Sequence, residues 1–219
     1  MTELLITEAA RPIGSVLFAH GAGADMQHAF MTELSQQFSM LGLTVIRFNF
    51  PYMIKRAVDG VKRPPDRMPM LINHFCEVLN SEQVQTVITN QPIYLAGKSM
   101  GCRVALSVLG NASLFAQYAT QIKGAICLGY PFHAIGKPEK LRLNPINECL
   151  KPILIIQGER DKLGDKTAVL SYQLPNQCQV HFINDGDHDL KPRIKSGYCY
   201  QQQLQLAMLK IKSFVHETK

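Results

Sequence analysis

Residues 97–101 read Gly-Lys-Ser-Met-Gly and hold the strongest candidate for chemistry in this sequence of 219 residues. A serine with glycines two positions away on either side is typical of a tight turn that leaves the hydroxyl exposed. The pattern is short, and chance alone would produce it in about one chain in twenty of this composition. Its context adds weight, because an apolar run, residues 93–96, precedes it and a segment of helical period, residues 102–109, follows it.

Ser99 would need help to act as a nucleophile, because a serine hydroxyl is weakly nucleophilic near neutral pH. A histidine that accepts its proton and a carboxylate that orients the histidine supply this help. Downstream of Ser99, Asp161 follows one predicted strand and His188 follows the next. The chain order Ser, Asp, His is the order expected for a serine on such a strand-to-helix turn. We therefore predict Ser99 as the nucleophile, Asp161 as the orienting acid and His188 as the base.

Alternatives exist for the acid and for the base. Glu159 and Asp165 flank Asp161, which we prefer because a Gly-x-x-Asp turn carries its carboxylate beyond the end of the strand, whereas Glu159 still has strand geometry. A lone histidine is more often structural or merely exposed than catalytic, and we apply that interpretation to five of the others. These five are His28, His74, His133, His181 and His216.

Acyl transfer also needs hydrogen-bond donors for the negative charge that develops on the carbonyl oxygen. The backbone N–H that follows the nucleophile, here that of Met100, is one predicted donor. The second should come from residues 20–25, His-Gly-Ala-Gly-Ala-Asp, which follow an earlier strand, and Ala22 is the preferred residue. A plain glycine-rich turn or a phosphate-binding loop is the alternative. Neither turn has the glycine spacing of a nucleotide-binding motif, so we disfavour a nucleotide site.

The elements that must position these residues alternate along the chain. Seven short apolar runs predict strands at residues 4–7, 15–19, 44–49, 93–96, 124–129, 152–157 and 180–184. Apolar residues three and four apart predict helices near residues 30–41, 68–79 and 204–215. This alternation predicts one α/β domain over residues 1–219, with a mostly parallel sheet of about seven strands covered by helices on both faces. The least regular stretches, 51–65 and 130–151, are too short for a large lid and should carry specificity.

The charge of the chain is uneven. Lysine and arginine number 23 against 17 aspartates and glutamates, a net charge of +6, and residues 55–67 and 191–195 each carry +3. Both segments follow predicted strands, so they could border the site and attract an anionic substrate. Arg63, Arg67 and Lys191 are the predicted substrate contacts. A solvated loop that serves solubility is an equally weighted interpretation, and no motif favours nucleic acid.

The sequence also limits compartment and cofactors. Residues 1–8 lack the features of a secretory signal, and no apolar run is long enough to span a bilayer. The six cysteines are scattered with no Cys-x-x-Cys pair, which favours reduced thiols in the cytoplasm. No cluster has metal-ligand spacing, so we expect neither a metal nor an organic cofactor. The expected partner is a small-molecule substrate, with no nucleic acid and no membrane, and the oligomeric state stays open.

Taken together, these motifs resemble the α/β-hydrolase superfamily over nearly the whole chain. The nearest resemblance is to a small hydrolase-like branch that contains bacterial predicted hydrolases, testis-expressed hydrolase-like proteins and a chromatin-complex subunit, with dienelactone hydrolases more distantly similar. The superfamily motifs are residues 20–24, 97–101 and 185–190, and the branch signatures are residues 50–53, 63–67 and 188–193. The resemblance implies the same roles for Ser99, Asp161 and His188. The chain begins near the strand at residues 15–19, which leaves room for about one strand before it.

The expected function is that of a serine hydrolase that cleaves a small ester or thioester through a covalent acyl-enzyme, with a preference for anionic substrates. The alternative from another class is a binding or scaffold protein that keeps the fold without turnover, as the chromatin-complex relatives illustrate. A dienelactone-type hydrolase is a third possibility. That type usually has cysteine where this chain has Ser99, which disfavours it.

Overall fold

A computed structural model describes residues 3–88 and 90–219 of the chain. Residues 1 and 2, which belong to the segment assessed for a secretory signal, lie outside the described part. All seven predicted strands are present, with bounds within two residues of their predicted positions. They are β1 (Leu4–Thr7), β2 (Gly14–Ala19), β3 (Leu43–Phe48), β4 (Ile93–Lys98), β5 (Ile122–Leu128), β6 (Ile153–Gly158) and β7 (Cys178–Ile183).

Helices lie between the strands and after them. The longer ones are α1 (Ala29–Met40), α2 (Pro51–Asp59), α3 (Met68–Leu79), α4 (Glu82–Ile88), α5 (Met100–Leu109) and α9 (Tyr200–Glu217). The others are about one turn long: α6 (Ala112–Phe115), α7 (Asn144–Asn147) and α8 (Lys166–Leu170). The periodicity of the sequence correctly predicts α1, α3, α5 and α9. In the described residues, no helix combines the length and the apolar character that crossing a membrane requires.

The strands form one sheet in the order β1-β3-β2-β4-β5-β6-β7. All neighbours are parallel except β1, which pairs antiparallel with β3 at the edge. The carboxyl ends of β2, β4, β5, β6 and β7 therefore meet at one edge of the sheet, where open α/β sheets bind their ligands. As expected, one strand, β1, precedes β2.

Helices cover both faces of the sheet because the central strands are apolar on both sides. In β2, Val16 and Phe18 pack with α1 and α9, whereas Leu17 packs on the opposite face with α3 and α5. Every residue of β2, β3, β4 and β6 is buried, and β7 at the far edge is only partly buried. This burial holds the carboxyl edge, and the loops on it, in fixed positions.

The stretch predicted to be irregular, residues 51–65, is helical over Pro51–Asp59, so that part of the prediction is wrong. Pro51 occupies the first turn, where its missing N–H costs nothing, and Gly60 ends the helix in a left-handed conformation with φ 69°. Two buried residues, Tyr52 and Met53, anchor the helix to the core. The other stretch, residues 130–151, is irregular except for α7, and no inserted domain covers the carboxyl edge within the described residues.

Candidate functional site

Ser99 occupies a strained turn between β4 and α5, with φ 53° and ψ −111°. Positive φ is unfavourable for any residue with a side chain and costs on the order of 1–3 kcal/mol. The neighbouring glycines permit this turn. A Cβ on Gly97 would lie 2.1 Å from the carbonyl carbon of Gly101, and a Cβ on Gly101 would lie 2.4 Å from the oxygen of Ala19. The glycines at both ends of the motif are therefore required by the close approach of α5 to the sheet.

His188 and Asp161 form a hydrogen-bonded pair at the carboxyl ends of β6 and β7. Nδ1 of His188 lies 2.8 Å from Oδ2 of Asp161, whose side chain is fully buried. Asp161 also accepts hydrogen bonds from Nε2 of Gln157, at 3.0 Å, and from the backbone N–H of Leu163, at 2.9 Å. Because a carboxylate only accepts, Nδ1 carries the proton in this hydrogen bond, and in the neutral imidazole Nε2 is then the acceptor.

The two alternative acids have other partners. Glu159 binds Nζ of Lys166 at 2.7 Å and accepts from the backbone N–H of Asp185 at 2.9 Å, which lowers the pKa of Glu159. Asp165 caps the N-terminus of α8 by accepting from the backbone N–H of Ala168 at 2.9 Å. Among the three acids considered, Asp161 is the one paired with His188.

Ser99 and His188 line the same cavity, which has a volume of about 300 Å³. The loop at residues 21–24 forms another wall, and Phe30 and Met31 of α1 add apolar surface. Within the described residues, Oγ of Ser99 makes no hydrogen bond. Ser99 and His188 therefore line the same cavity without a hydrogen bond between their side chains. Catalytic hydrogen bonds are often long or poorly aligned in structures without substrate, so this geometry does not rule out Ser99 and His188 as partners.

The loop that should supply the second oxyanion donor is held by two buried side chains. The carbonyl of Gly21 accepts from Nδ1–H of His20 at 2.7 Å and from the hydroxyl of Tyr52, which lies 3.1 Å away and equally close to the carbonyl of Ala22. In a trans peptide the N–H points opposite to the carbonyl, so the N–H of Ala22 points away from both buried rings. A Cβ on Gly21 would lie 3.5 Å from that of Ser99, which places this peptide beside the serine turn.

His20 is neutral in this environment. Its Nε2 accepts from the backbone N–H of Phe50 at 3.0 Å, so both ring nitrogens have partners. Burial lowers the pKa of His20 to about 4, although the carbonyl of Gly21 and the charge of Asp25 act in the opposite direction. The side chain therefore supports the loop at neutral pH and does not compete with His188 as a base.

The loop that carries His188 is closed by an ion pair. Asp185 has φ 52° and accepts from the backbone N–H of Arg193 at 2.7 Å and from its Nε at 2.9 Å. Nε of Arg160 lies 2.9 Å from Oδ1 of the same carboxylate. The hydrogen bonds from Arg193 hold the pKa of Asp185 well below its usual range. Because residues 185 and 193 are tied together, the position of His188 between them is restricted.

Lys98 is a site residue that the sequence reasoning considered only as part of a phosphate loop. Its side chain is 9% exposed, and its Nζ donates to the carbonyl of His188 and lies 3.1 Å from Oδ1 of Asp189. The ring centroid of Phe30 lies 5.2 Å from Nζ. Partial burial favours the neutral acid, but the ammonium of Lys98 lowers the pKa of Asp189. A lysine at the buried end of an apolar strand was the sequence signal for this role.

None of the three predicted substrate contacts lines the cavity at Ser99. Arg63 is paired with Asp59, Arg67 stands exposed at the start of α3, and Nζ of Lys191 lies 5.8 Å from the ring centroid of Tyr200. Part of the predicted positive rim is therefore already paired within the protein, since Arg63 forms an ion pair with Asp59. Sequence position alone could not reveal this, because it does not report which charges are paired.

The cysteines offer no competing nucleophile in this site. Cys102, which is fully buried one turn after Ser99, donates from Sγ to the carbonyl of Gly97 at 2.9 Å. All six cysteines are free thiols. In residues 3–88 and 90–219, no group of three or more His, Cys, Asp or Glu side chains is arranged to hold a metal ion.

Comparison with known proteins agrees with this fold. Residues 12–216 match the family model described as an alpha/beta hydrolase domain. An alpha-beta serine hydrolase homologue from Coxiella burnetii superposes with a TM-score of 0.68 at 20% identity, covering 96% of this chain and 90% of its own. A serine hydrolase without lid from Xanthomonas campestris gives 0.62 at 19% identity, covering 98% and 88%. A dienelactone hydrolase from Anabaena variabilis gives 0.66 at 16% identity, covering 94% and 88%.

Proposed function

Because this chain belongs to the family of alpha/beta hydrolase domains, we propose that it is a serine hydrolase that cleaves small carboxylic esters or thioesters through a covalent acyl-enzyme. One observation carries the proposal: a serine held at positive φ shares a cavity with a histidine whose Nδ1 is bound to a buried carboxylate. In that combination the Asp161 carboxylate binds Nδ1, and Nε2 of His188 is the ring nitrogen that can accept the serine proton.

In the first step, Nε2 of His188 takes the proton of Ser99 as Oγ attacks the substrate carbonyl carbon. A carbon–oxygen bond forms, and the carbonyl π electrons move onto its oxygen. The N–H groups of Ala22 and Met100 donate to this oxyanion, the second from the first turn of α5, where helix N–H groups have no intrahelical partner. The carboxylate of Asp161 stabilises the imidazolium that forms.

In the second step, the tetrahedral intermediate collapses and the bond to the leaving oxygen or sulfur breaks. The leaving group takes the proton from Nε2 of His188, and the acyl group stays on Ser99 as an ester. Water then gives a proton to His188 and attacks the acyl carbon, and Ser99 departs with a proton from the same nitrogen. Serine, histidine and aspartate return to their starting states, and one acid and one alcohol or thiol are released.

We propose that the preference for anionic substrates comes from the positive electrostatic field of the whole protein. The chain carries a net charge of +6, and Lys98 and Arg56 border the cavity at Ser99 and the cavity adjoining it. A positive field raises the rate at which an anion arrives and weakens as salt is added. The free thiols fit a reducing compartment, and we propose the cytoplasm.

The test is turnover of a panel of acetate, butyrate and hexanoate esters and of the corresponding thioesters. The purified protein should hydrolyse at least one class. Ser99→Ala and His188→Ala should lose about 10³-fold or more of kcat while keeping the unfolding transition of the unchanged protein. Equal activity in Ser99→Ala would refute the assignment of the nucleophile. Folded protein with no turnover on any substrate would favour the binding or scaffold alternative.

A further inference from the structure

A second cavity, of about 340 Å³, adjoins His188. It shares His188 and Asp189 with the cavity at Ser99 and none of that cavity's other lining residues. Its remaining walls come from the loops after β5 and β6, including Ile135, Lys162 and Leu163, and from Asp187 in the loop after β7. His188 therefore borders both the cavity of the nucleophile and a second, separate space.

The apolar walls of this second cavity are held in place before any ligand arrives. The backbone N–H of His133, two residues before Ile135, donates to the carbonyl of Leu163 at 3.2 Å and ties the two loops together. Leu163 is also fixed by its N–H, which donates to Asp161 at 2.9 Å. Beside it, Gly164 packs so closely on Phe132 that a Cβ would lie 2.6 Å from the ring.

Most of the charged residues around this cavity have partners within the protein, and Lys162 is an exposed lysine at its wall, so Ile135 and Leu163 are the aliphatic contact surface. Arg160 is bound to Asp185, and Asp187 accepts the backbone N–H groups of Asp189 and Lys191. Ile135 is 75% exposed although it is a large aliphatic side chain. An apolar ligand that covers it gains the free energy of removing this surface from water.

We propose that this cavity binds the leaving group of the substrate, and that the leaving group is an apolar alcohol or thiol of about four to six carbons. The inference rests on the proposed function. In that reaction His188 hands its proton to the leaving oxygen or sulfur, so the rest of the leaving group must extend from a point beside this imidazole. The loop at residues 21–24 and α1 wall the other side of the site, which leaves the acyl chain to lie against Phe30 and Met31.

The experiment compares n-alkyl acetates from ethyl to hexyl, whose leaving alcohols have nearly equal acidity, so that chain length is the main variable. We expect kcat/KM to rise roughly threefold for each methylene from ethyl to butyl, and then to level off between butyl and hexyl as the chain fills the cavity. In Ile135→Ser this slope should fall to less than about twofold per methylene. A parallel series of ethyl esters with longer acyl chains should keep the slope of the unchanged protein.

Ile194→Ser is the matched control, because Ile194 is, like Ile135, an exposed isoleucine but does not line the cavity. It should leave both series unchanged. A flat alkyl series in an active protein would overturn the inference, and so would a loss of acyl selectivity in Ile135→Ser. If the unchanged protein hydrolyses no ester or thioester, the proposed function itself fails, which is a distinguishable result.

Discussion

The side chain of Lys98 joins the two halves of the candidate site: its Nζ lies 3.1 Å from the carboxylate of Asp189. Lys98 directly precedes Ser99, and Asp189 directly follows His188. The same Nζ donates to the backbone carbonyl of His188. One ammonium therefore links the turn that carries the serine to the loop that carries the histidine, and we expect it to set the separation of their side chains.

Replacing Lys98 by methionine should reduce activity by loosening this link. Lys98→Met keeps most of the apolar stem but removes the ion pair and the hydrogen bond to His188. We expect kcat/KM to fall about tenfold to hundredfold, because small errors in the placement of reacting groups are costly. Steady-state kinetics on the best ester measures this, with the exposed Lys140→Met as control. Unchanged kinetics in a folded Lys98→Met protein would show that the link does not position His188.

Removing the hydroxyl of Tyr52 should weaken oxyanion stabilisation. Tyr52→Phe deletes the donor that the carbonyls of Gly21 and Ala22 share and leaves the ring in place. We expect kcat to fall about fivefold to tenfold with little change in KM, a smaller loss than deleting an oxyanion donor itself would cause. The control is Tyr198→Phe, which alters an exposed tyrosine outside the cavity. An effect on KM alone would contradict this role for Tyr52.

The glycine before Ser99 should be intolerant of any side chain. In Gly97→Ala, the new Cβ would lie 2.1 Å from the backbone carbonyl carbon of Gly101, so α5 would have to move. We expect a loss of about 3 kcal/mol or more in the free energy of unfolding, at the upper end for overpacked positions. Urea denaturation measures it. Gly23→Ala is the control, since a Cβ there would have no neighbour within 4 Å and stability should change little.

His20 should make the protein less stable in mild acid. Burial lowers its pKa to about 4 in the folded protein, against about 6.5 in the unfolded chain. Between these values the unfolded chain binds more protons than the folded protein does. The contribution of His20 to the free energy of unfolding is therefore fully present above pH 6.5 and is lost as the pH falls towards 4. The neighbouring Asp25 raises the pKa of His20 and His74 lowers it, but both effects are smaller than that of burial.

Urea denaturation at pH 7 and pH 4.5 tests this linkage in the unchanged protein and in His20→Gln. The decrease between the two pH values should be smaller in the variant by on the order of 2–3 kcal/mol. Comparing the two proteins removes the contribution of carboxylates such as Asp185, whose lowered pKa acts in both. Equal decreases would mean that His20 is protonated in the folded state or accessible to water.

The sequence predicts the scaffold well because buried strands are short apolar runs between breaks, and such runs have few alternative structures. It also places Ser99, Asp161 and His188 correctly after β4, β6 and β7, since parallel strands end at one edge. The helix α2 was missed because its apolar anchors, Tyr52 and Met53, are followed by charged residues.

Contacts between distant residues could not be predicted from sequence. The bond from Lys98 joins residues ninety positions apart, and that from Tyr52 spans about thirty. Neither follows from local periodicity. The positive segments were visible as composition, yet the pairing of Arg63 with Asp59 depends on the way the chain turns after α2 ends at Gly60. Charge pairing is a property of the folded surface.

The most direct measurement is the intact mass of the protein after exposure to a fluorophosphonate, a reagent that phosphonylates activated serines. The account predicts a single adduct on the unchanged protein, no adduct on Ser99→Ala, and labelling slowed by at least about 10³-fold on His188→Ala. Rapid labelling of all three proteins, or no labelling of the folded unchanged protein, would contradict the claim that His188 and Asp161 activate Ser99.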